Sequence, residues 1–361
     1  MLKRIVSIFL LTCILFTVPV WAQEREAQGI PYIVAVRGAT RNLPAVTVFD
    51  DRVTDIQEAR QRLQDLLRAR RATSTMSNSE RIQMERQIAD LGAEVNTMRA
   101  LQDMARTSVE FAMRNSMTTI ANTQLDILLL EAVIEQDRIT LNNTRLRLNA
   151  GLISESDMRA AELAFQQQEY NLAALEVSLE TERQSLNRIL QRPITGNYYV
   201  THDRELLELP RDLEQHIRRV ARRQPNVRRY EIIMNRARAA FRDQDVEIGS
   251  PERRARERAY NQAVREHNET LRGVETAMRN QYNSLILLMH QNESLGIDLQ
   301  RATERLQAVV LNYQAGLATP FDIEAAELAI LRIETAIERN LNTYWNAQFM
   351  FENPFLLVQQ I

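Results

Sequence analysis

The fifteen residues Ala150–Ala164 return 165 positions later as Ala315–Ala329, with nine of the fifteen identical. Self-similarity at a fixed, domain-sized interval marks a duplicated structural unit, so the chain is built from two related halves. The repeated words are those of a tight turn between helices. Leu148 and Tyr313 end apolar helical patterns, and Gly151 and Gly316 follow three residues later, where a residue without Cβ closes a helix in the left-handed conformation at least cost. A second helix must begin almost at once. Ser154 and Thr319 stand as N-caps, with Asp157 and Asp322 placed three residues on to return the bond and meet the positive helix end, and Pro320 suits the first helical position.

The apolar periodicity around each turn extends far beyond an ordinary helix. From about Leu101 to Gly151 the pattern is continuous, roughly 48 residues or about 70 Å. The return arm, Ser154 to about Gln191, carries Met158, Ala161, Phe165, Leu172, Leu175, Leu179, Leu186 and Ile189 on alternating steps of three and four, with Gln168 and Glu182 as polar interruptions. That is a heptad seam. The second half repeats the plan. An arm from about Arg254 to Gln314 carries Leu285, Leu288, Leu295, Leu299, Ala302, Leu306 and Val309, and its return arm carries Ile323, Ala326, Ile330, Ile333, Ile337, Tyr344 and Phe351. Apolar residues off these seams, Leu163, Leu328 and Leu331 among them, widen the stripe beyond a two-helix contact. The expected fold is therefore all-α: duplicated long antiparallel helical hairpins that pack laterally, with little or no β-structure.

The rest of the chain divides around these arms. Lys3-Arg4, an apolar run from Ile5 to about Val18, and Val20-Trp21-Ala22 read as a secretory signal, residues 1–22, cleaved after Ala22. The run is shorter than the roughly 20 residues that span a bilayer. Cys13, the only cysteine, falls in this leader, and Thr12 stands where a lipoprotein signal has a smaller residue, so the mature chain would hold no disulfide and no thiolate metal site. Residues 23–50 are expected to be an extended segment, with Pro31–Val36 and Ala45–Phe49 as two short strands. A helix is expected from about Val53 to Arg71, a polar break over 72–79, then helix again with an interruption near Gly92. A short extended piece at Asn197–Val200 separates the first repeat, 51–195, from the second, 196–361, which opens with a helix through Arg219 and another from Pro225 to about Arg242 before a break over 243–251.

Charge and composition exclude several classes. The formal net charge is −2, and −4 once Lys3 and Arg4 leave with the signal, too balanced for a nucleic-acid partner recognised through bulk charge. Lys3 is the only lysine, and the later cations are arginines interspersed with acids at helical spacings. No catalytic group, cofactor site or metal site is expected. His202, His216, His267 and His290 form no ligand-spaced pair, and no glycine-rich phosphate loop occurs.

Two tandem halves, each with a turn of the form small-Gly-Leu-x-[Ser/Thr]-x-x-Asp between long helices rich in Ala and Leu, resemble the TolC-type outer-membrane efflux proteins. Tyr313-Gln314-Ala315-Gly316 followed by Asp322-Ile323 is similar to that family's Tyr-x-x-Gly-x(5)-Asp-[Val/Ile] signature, and the likeness covers about residues 53–192 and 211–354. The resemblance implies a homotrimer whose twelve long helices make a periplasmic tube. The turns of that tube would meet a periplasmic adaptor, which couples it to an inner-membrane pump. Gly151, Leu152 and Ser154, with Gly316, Leu317 and Thr319, match the family's adaptor-docking turns, and Asp157 and Asp322 belong to the same tips. Asp322 also matches an aspartate that narrows the closed entrance in some members, whose second acidic residue is Ala325 here. Members insert β-strand pairs that close a membrane barrel. A membrane strand takes about 9 to 11 residues, and the breaks at 72–79 and 243–251 are too short to hold such pairs. An exported structural coiled coil of the envelope would account for the same heptads, although it has no need of identical polar wording at both turns. A periplasmic adaptor has one hairpin flanked by β-rich domains, against two hairpins here.

Overall fold

The computed structural model describes residues 28–41, 44–73, 76–196, 198–201, 208–242, 247 and 249–358. The leader and Cys13 lie outside the described residues, as do His202, 243–246 and 248. Its frame is α3, Asn78–Asn149, an unbroken helix of 72 residues and so about 108 Å long. Ser77 starts it with a capping box, accepting from the Glu80 amide at 3.3 Å while its own amide donates to Glu80 Oε2 at 2.9 Å. Gly92 does not interrupt it. A Cβ there would meet the Arg60 side chain at 3.5 Å, an ordinary van der Waals contact, so packing does not require glycine at this position. The partner arm α4 spans Glu155–Ile189. In the second half, α7 (Pro251–Gln314) and α8 (Pro320–Glu352) form the equivalent hairpin.

The predicted seam on α4 is the buried face. Met158 and Leu186 are buried, and Phe165, Gln168, Leu172, Leu175, Leu179 and Glu182 are half-buried, polar interruptions included. The hairpins also pack on each other, α3 against α8, so the long arms lie in the order α4, α3, α8, α7. A polar tie holds this central contact in register: Arg339 of α8 pairs with Asp126 of α3, and Asn342 donates to Asn122 Oδ1 at 2.8 Å.

Residues 32–36 and 45–49 correct the sequence reading, because the two strands expected at 31–36 and 45–49 are helical in all but Pro31. Only Gln28–Pro31 is a strand, β1; α1 follows at Tyr32–Arg41 and α2 at Pro44–Ala72. In α1 the residues that find cover are Ala35 and Ala39, one turn apart and both buried, whereas Ile33 and Val34, which suggested a strand, face outward. Helical spacing of the anchors prevails over β-branched content. In α2 Pro44 occupies the first helical position, where its fixed φ suits the helix. Strand β2, Tyr198–Thr201, falls on the expected extended piece and pairs parallel with β1, Gln28 opposite Tyr198.

The core is a belt around the middle of the long arms. One cluster joins Ile30, Ala35 and Ala39 to Met113, Met117, Leu186, Leu190 and Trp345. The other joins α5 (Leu213–Arg223) and α6 (Pro225–Arg242) to α7 and α8 through Ile217, Ala221, Val227, Val274, Met278, Leu285, Tyr344 and Phe351. A last helix, α9 (Phe355–Val358), closes over it with Phe355 and Leu356 buried. From Met117 to the turn at Gly151 is about 50 Å of helix at 1.5 Å per residue, so each hairpin projects well beyond this belt. On the other side α2 and α6 run alongside α3 and α7. Among the described residues the strands are β1 and β2, four residues each, and the described parts of the two breaks pass from helix to helix without a barrel strand.

Candidate functional site

The projecting ends of the hairpins are the two repeated turns, which share one pattern of backbone hydrogen bonds. Gly151 has φ +69° and Gly316 φ +72°. At the first turn the Gly151 amide donates to the Leu148 carbonyl at 2.8 Å and the Leu152 amide to the Arg147 carbonyl at 2.9 Å. At the second, Gly316 donates to Tyr313 at 3.0 Å and Leu317 to Asn312 at 2.8 Å. These crossed bonds are the Schellman closure of a helix, and they satisfy carbonyls that the helix end would otherwise leave open. A Cβ on either glycine would meet nothing within 4 Å, so the need for glycine is conformational and not one of space.

The next helices start with matching capping boxes. The Asp157 amide donates to Ser154 Oγ at 3.2 Å, and the Ser154 amide and hydroxyl donate to Asp157 Oδ2 at 3.1 and 2.7 Å. Thr319 and Asp322 repeat this, with amide and hydroxyl both donating to Asp322 Oδ2 at 2.7 Å. Hydrogen bonds from the Ser154 side chain and then its amide lower the pKa of Asp157. Those from the Thr319 amide and then its side chain lower that of Asp322. Both carboxylates therefore stay charged at the positive ends of their helices, employed in capping.

What the two turns present outward is leucine. Leu152 is 69% exposed and Leu317 79%, at the outermost bend of each hairpin, where no helix of the same chain covers them. All eight predicted tip residues thus group as two four-residue sets, glycine and leucine on one side of the bend and the cap pair on the other. Among the described residues no hydrogen bond or ion pair joins one tip to the other. The helix edges leading to the tips are apolar as well. On α4 Leu163, Tyr170 and Val177 are exposed, and on α7 Leu287, Ile297 and Leu311. Each lies two residues beyond a seam position, about 200° around the helix and so facing away from its own hairpin.

Sequence reasoning missed the fastening of the belt. The Arg114 guanidinium lies 4.1 Å from the Trp345 ring centroid, 4.3 Å from Phe349 and 5.1 Å from Tyr32, and its Nε donates to the Tyr32 hydroxyl at 2.5 Å. Tyr32 in turn donates to Glu110 Oε1 at 2.8 Å, and burial raises its pKa far above the ordinary phenol value. These residues come from α1, α3 and α8, and no local motif connects them. A shallow cleft of about 420 Å³ between α3 and the α5–α6 corner is lined by Arg99, Asp103, Arg223, Arg228 and Glu231 and is open to solvent. Among the described residues no group of three His, Asp or Glu side chains is arranged to hold a metal ion.

Solved structures place this architecture. The chain superposes on the outer membrane protein VceC of Vibrio cholerae with a TM-score of 0.59 and 14% identity, covering 89% of this chain and 96% of that one. On the open state of the MtrE outer membrane channel of Neisseria gonorrhoeae the score is 0.61 with 14% identity, over 89% and 88% of the two chains. On the CmeC outer membrane channel of Campylobacter jejuni it is 0.62 with 11% identity, over 89% and 85%. The TolC-type fold implied by the repeated turns is thus the fold of the chain, in a form that is mostly helical among the described residues. No family model and no curated protein matches the sequence.

Proposed function

We propose that this chain is the tube component of an envelope efflux system, exported by its leader and assembled as a homotrimer. Its two hairpin tips dock a periplasmic adaptor that connects it to an inner-membrane pump. The observation that carries this reading is the pair of identically built tips, each holding an uncovered leucine at the far end of a hairpin, in a chain with the fold of outer membrane channels. Rigid turns with a protruding apolar side chain suit helix-in-groove recognition, in which a few apolar anchors provide most of the binding energy. The two halves, 51–195 and 196–361, supply one tip each, so a trimer offers six. The apolar edges of α4 and α7 support lateral closure, the edge of one subunit meeting the opposite edge of the next.

The test uses the absence of cysteine beyond Cys13. Leu152→Cys or Leu317→Cys introduces a single thiol, which, labelled with a thiol-reactive photo-cross-linker, is expected to cross-link in cells to the hairpin of a periplasmic adaptor. Leu152→Asp with Leu317→Asp is expected to leave the melting temperature within a degree or two while abolishing efflux and adaptor capture. Normal efflux and adaptor binding by that double variant would remove the docking reading and leave an envelope spacer as the better account.

A further inference from the structure

The end of the molecule opposite the tips gathers four helix ends. Arg236 of α6 pairs with Asp90 of α3 at 2.6 Å, Arg71 of α2 pairs with Glu85 of α3, and Arg256 of α7 donates to the Ala240 carbonyl of α6 at 3.0 Å. The ends of α2, α3, α6 and α7 that flank the two breaks therefore lie side by side. Within about two turns of them, residues 66–86 hold five arginines and two acids, and residues 236–258 seven arginines and five acids. With Asp65 and Asp90 included, which lie just outside these spans and pair with Arg68 and Arg236, the excess is three positive charges, in a chain whose net charge is −2. The tips differ: residues 137–162 hold four arginines and four acids, and residues 298–327 two arginines and five acids. The charge is polarised along the long axis.

Several of these arginines have structural roles, as the pairs above show. Others face outward: Arg70, Arg238 and Arg258 are exposed, and so is Arg68, which pairs with Asp65 at the surface. Arg254 stands in the first turn of α7, where its guanidinium donates to the Gly249 carbonyl at 3.0 Å. Every cation past the leader is a guanidinium, whose planar fork holds phosphate oxygens in pairs. The aromatic side chains nearby are already engaged, Phe241 stacked on Tyr260 at 5.9 Å with Arg253 4.7 Å above it, which leaves no platform for stacking bases. We propose that this arginine-rich end seats on the phosphate surface of an anionic phospholipid bilayer, holding the tube to the membrane by charge without insertion. The choice of a membrane as the anionic surface rests on the envelope reading above.

Flotation of the full-length protein purified from cells, with phosphatidylcholine vesicles and with vesicles containing phosphatidylglycerol, tests this. Binding is expected to the phosphatidylglycerol vesicles alone, and to vanish in about 1 M salt, where the Debye length falls to roughly 3 Å. Each surface arginine removed should weaken binding about fivefold. Together Arg68→Gln, Arg70→Gln, Arg238→Gln and Arg258→Gln should therefore weaken it more than about a hundredfold. The same charge removed near a tip, by Arg138→Gln, Arg145→Gln, Arg147→Gln and Arg159→Gln, should leave binding unchanged. Equal binding to neutral vesicles, binding that survives high salt, or an equal loss in the tip set would each overturn the proposal. The vesicle and cross-linking readouts address opposite ends of the molecule, so either proposal can fail while the other stands.

Discussion

At the scale of single residues, the turns were legible because their chemistry is local. Gly151, Ser154 and Asp157 lie within seven positions of one another, and so do Gly316, Thr319 and Asp322, so propensity and capping rules alone reach the observed geometry. Replacing Gly316 by Val should lower stability by about 1–2 kcal/mol, since a β-branched residue at positive φ is strained, while Gly316→Asn should recover most of it. Urea unfolding of the two variants checks this. Equal losses would mean that some contact, and not φ, requires glycine. The caps also carry a pH dependence. Asp157 and Asp322 have lowered native pKa values, so their stabilisation is complete above the unfolded value of about 3.9 and is lost as the pH falls through the lower native value. Thermal unfolding of Asp157→Asn with Asp322→Asn should accordingly show a shallower acid limb than the parent.

At the scale of elements, the long arms were readable from a heptad pattern that repeats over ten positions on α4, polar slots included. Their neighbours were not. The α1 helix is set by what it packs on, and Ile33-Val34 carry the same β-branched signal whether the segment pairs in a sheet or coils against Met113 and Met117. Nor could periodicity indicate that Arg114, Trp345 and Tyr32 meet, since they stand on three helices far apart in sequence that only tertiary packing joins. Trp345 is 5% exposed and makes an edge contact with Tyr32 at 5.9 Å besides facing Arg114. Trp345→Ala should therefore cost about 3–5 kcal/mol and free the amides of residues 28–41 for hydrogen exchange. On the open edge, Leu163→Ala should change monomer stability by no more than about 0.5 kcal/mol. If exchange in α1 stays unchanged in the Trp345 variant, the clamp is not what holds that helix down.

At the scale of the molecule, the order α4, α3, α8, α7 leaves two edges, and both are apolar at the same helical offset from their seams. Burying a Leu or Val side chain gains about 1.5–3 kcal/mol, so a single subunit leaves a row of such gains unused on each side. The two edges are different surfaces, which makes their contact heterologous, and a heterologous contact either closes into a ring or grows without limit. Under the proposed homotrimer the contact closes into a ring of three. Light scattering at micromolar concentration should then give three times the mass of one chain. Tyr170→Glu with Val177→Glu should dissociate it, because each places a charge in an interface that offers those positions no cation on its own hairpin. Dissociation should leave the intrasubunit seam intact, so the variant is expected to remain helical by circular dichroism while losing mass. A parent chain that stays a stable monomer at this concentration would remove the tube. A parent that assembles while the doubly charged edge assembles equally well would place the subunit contact on some surface other than α4.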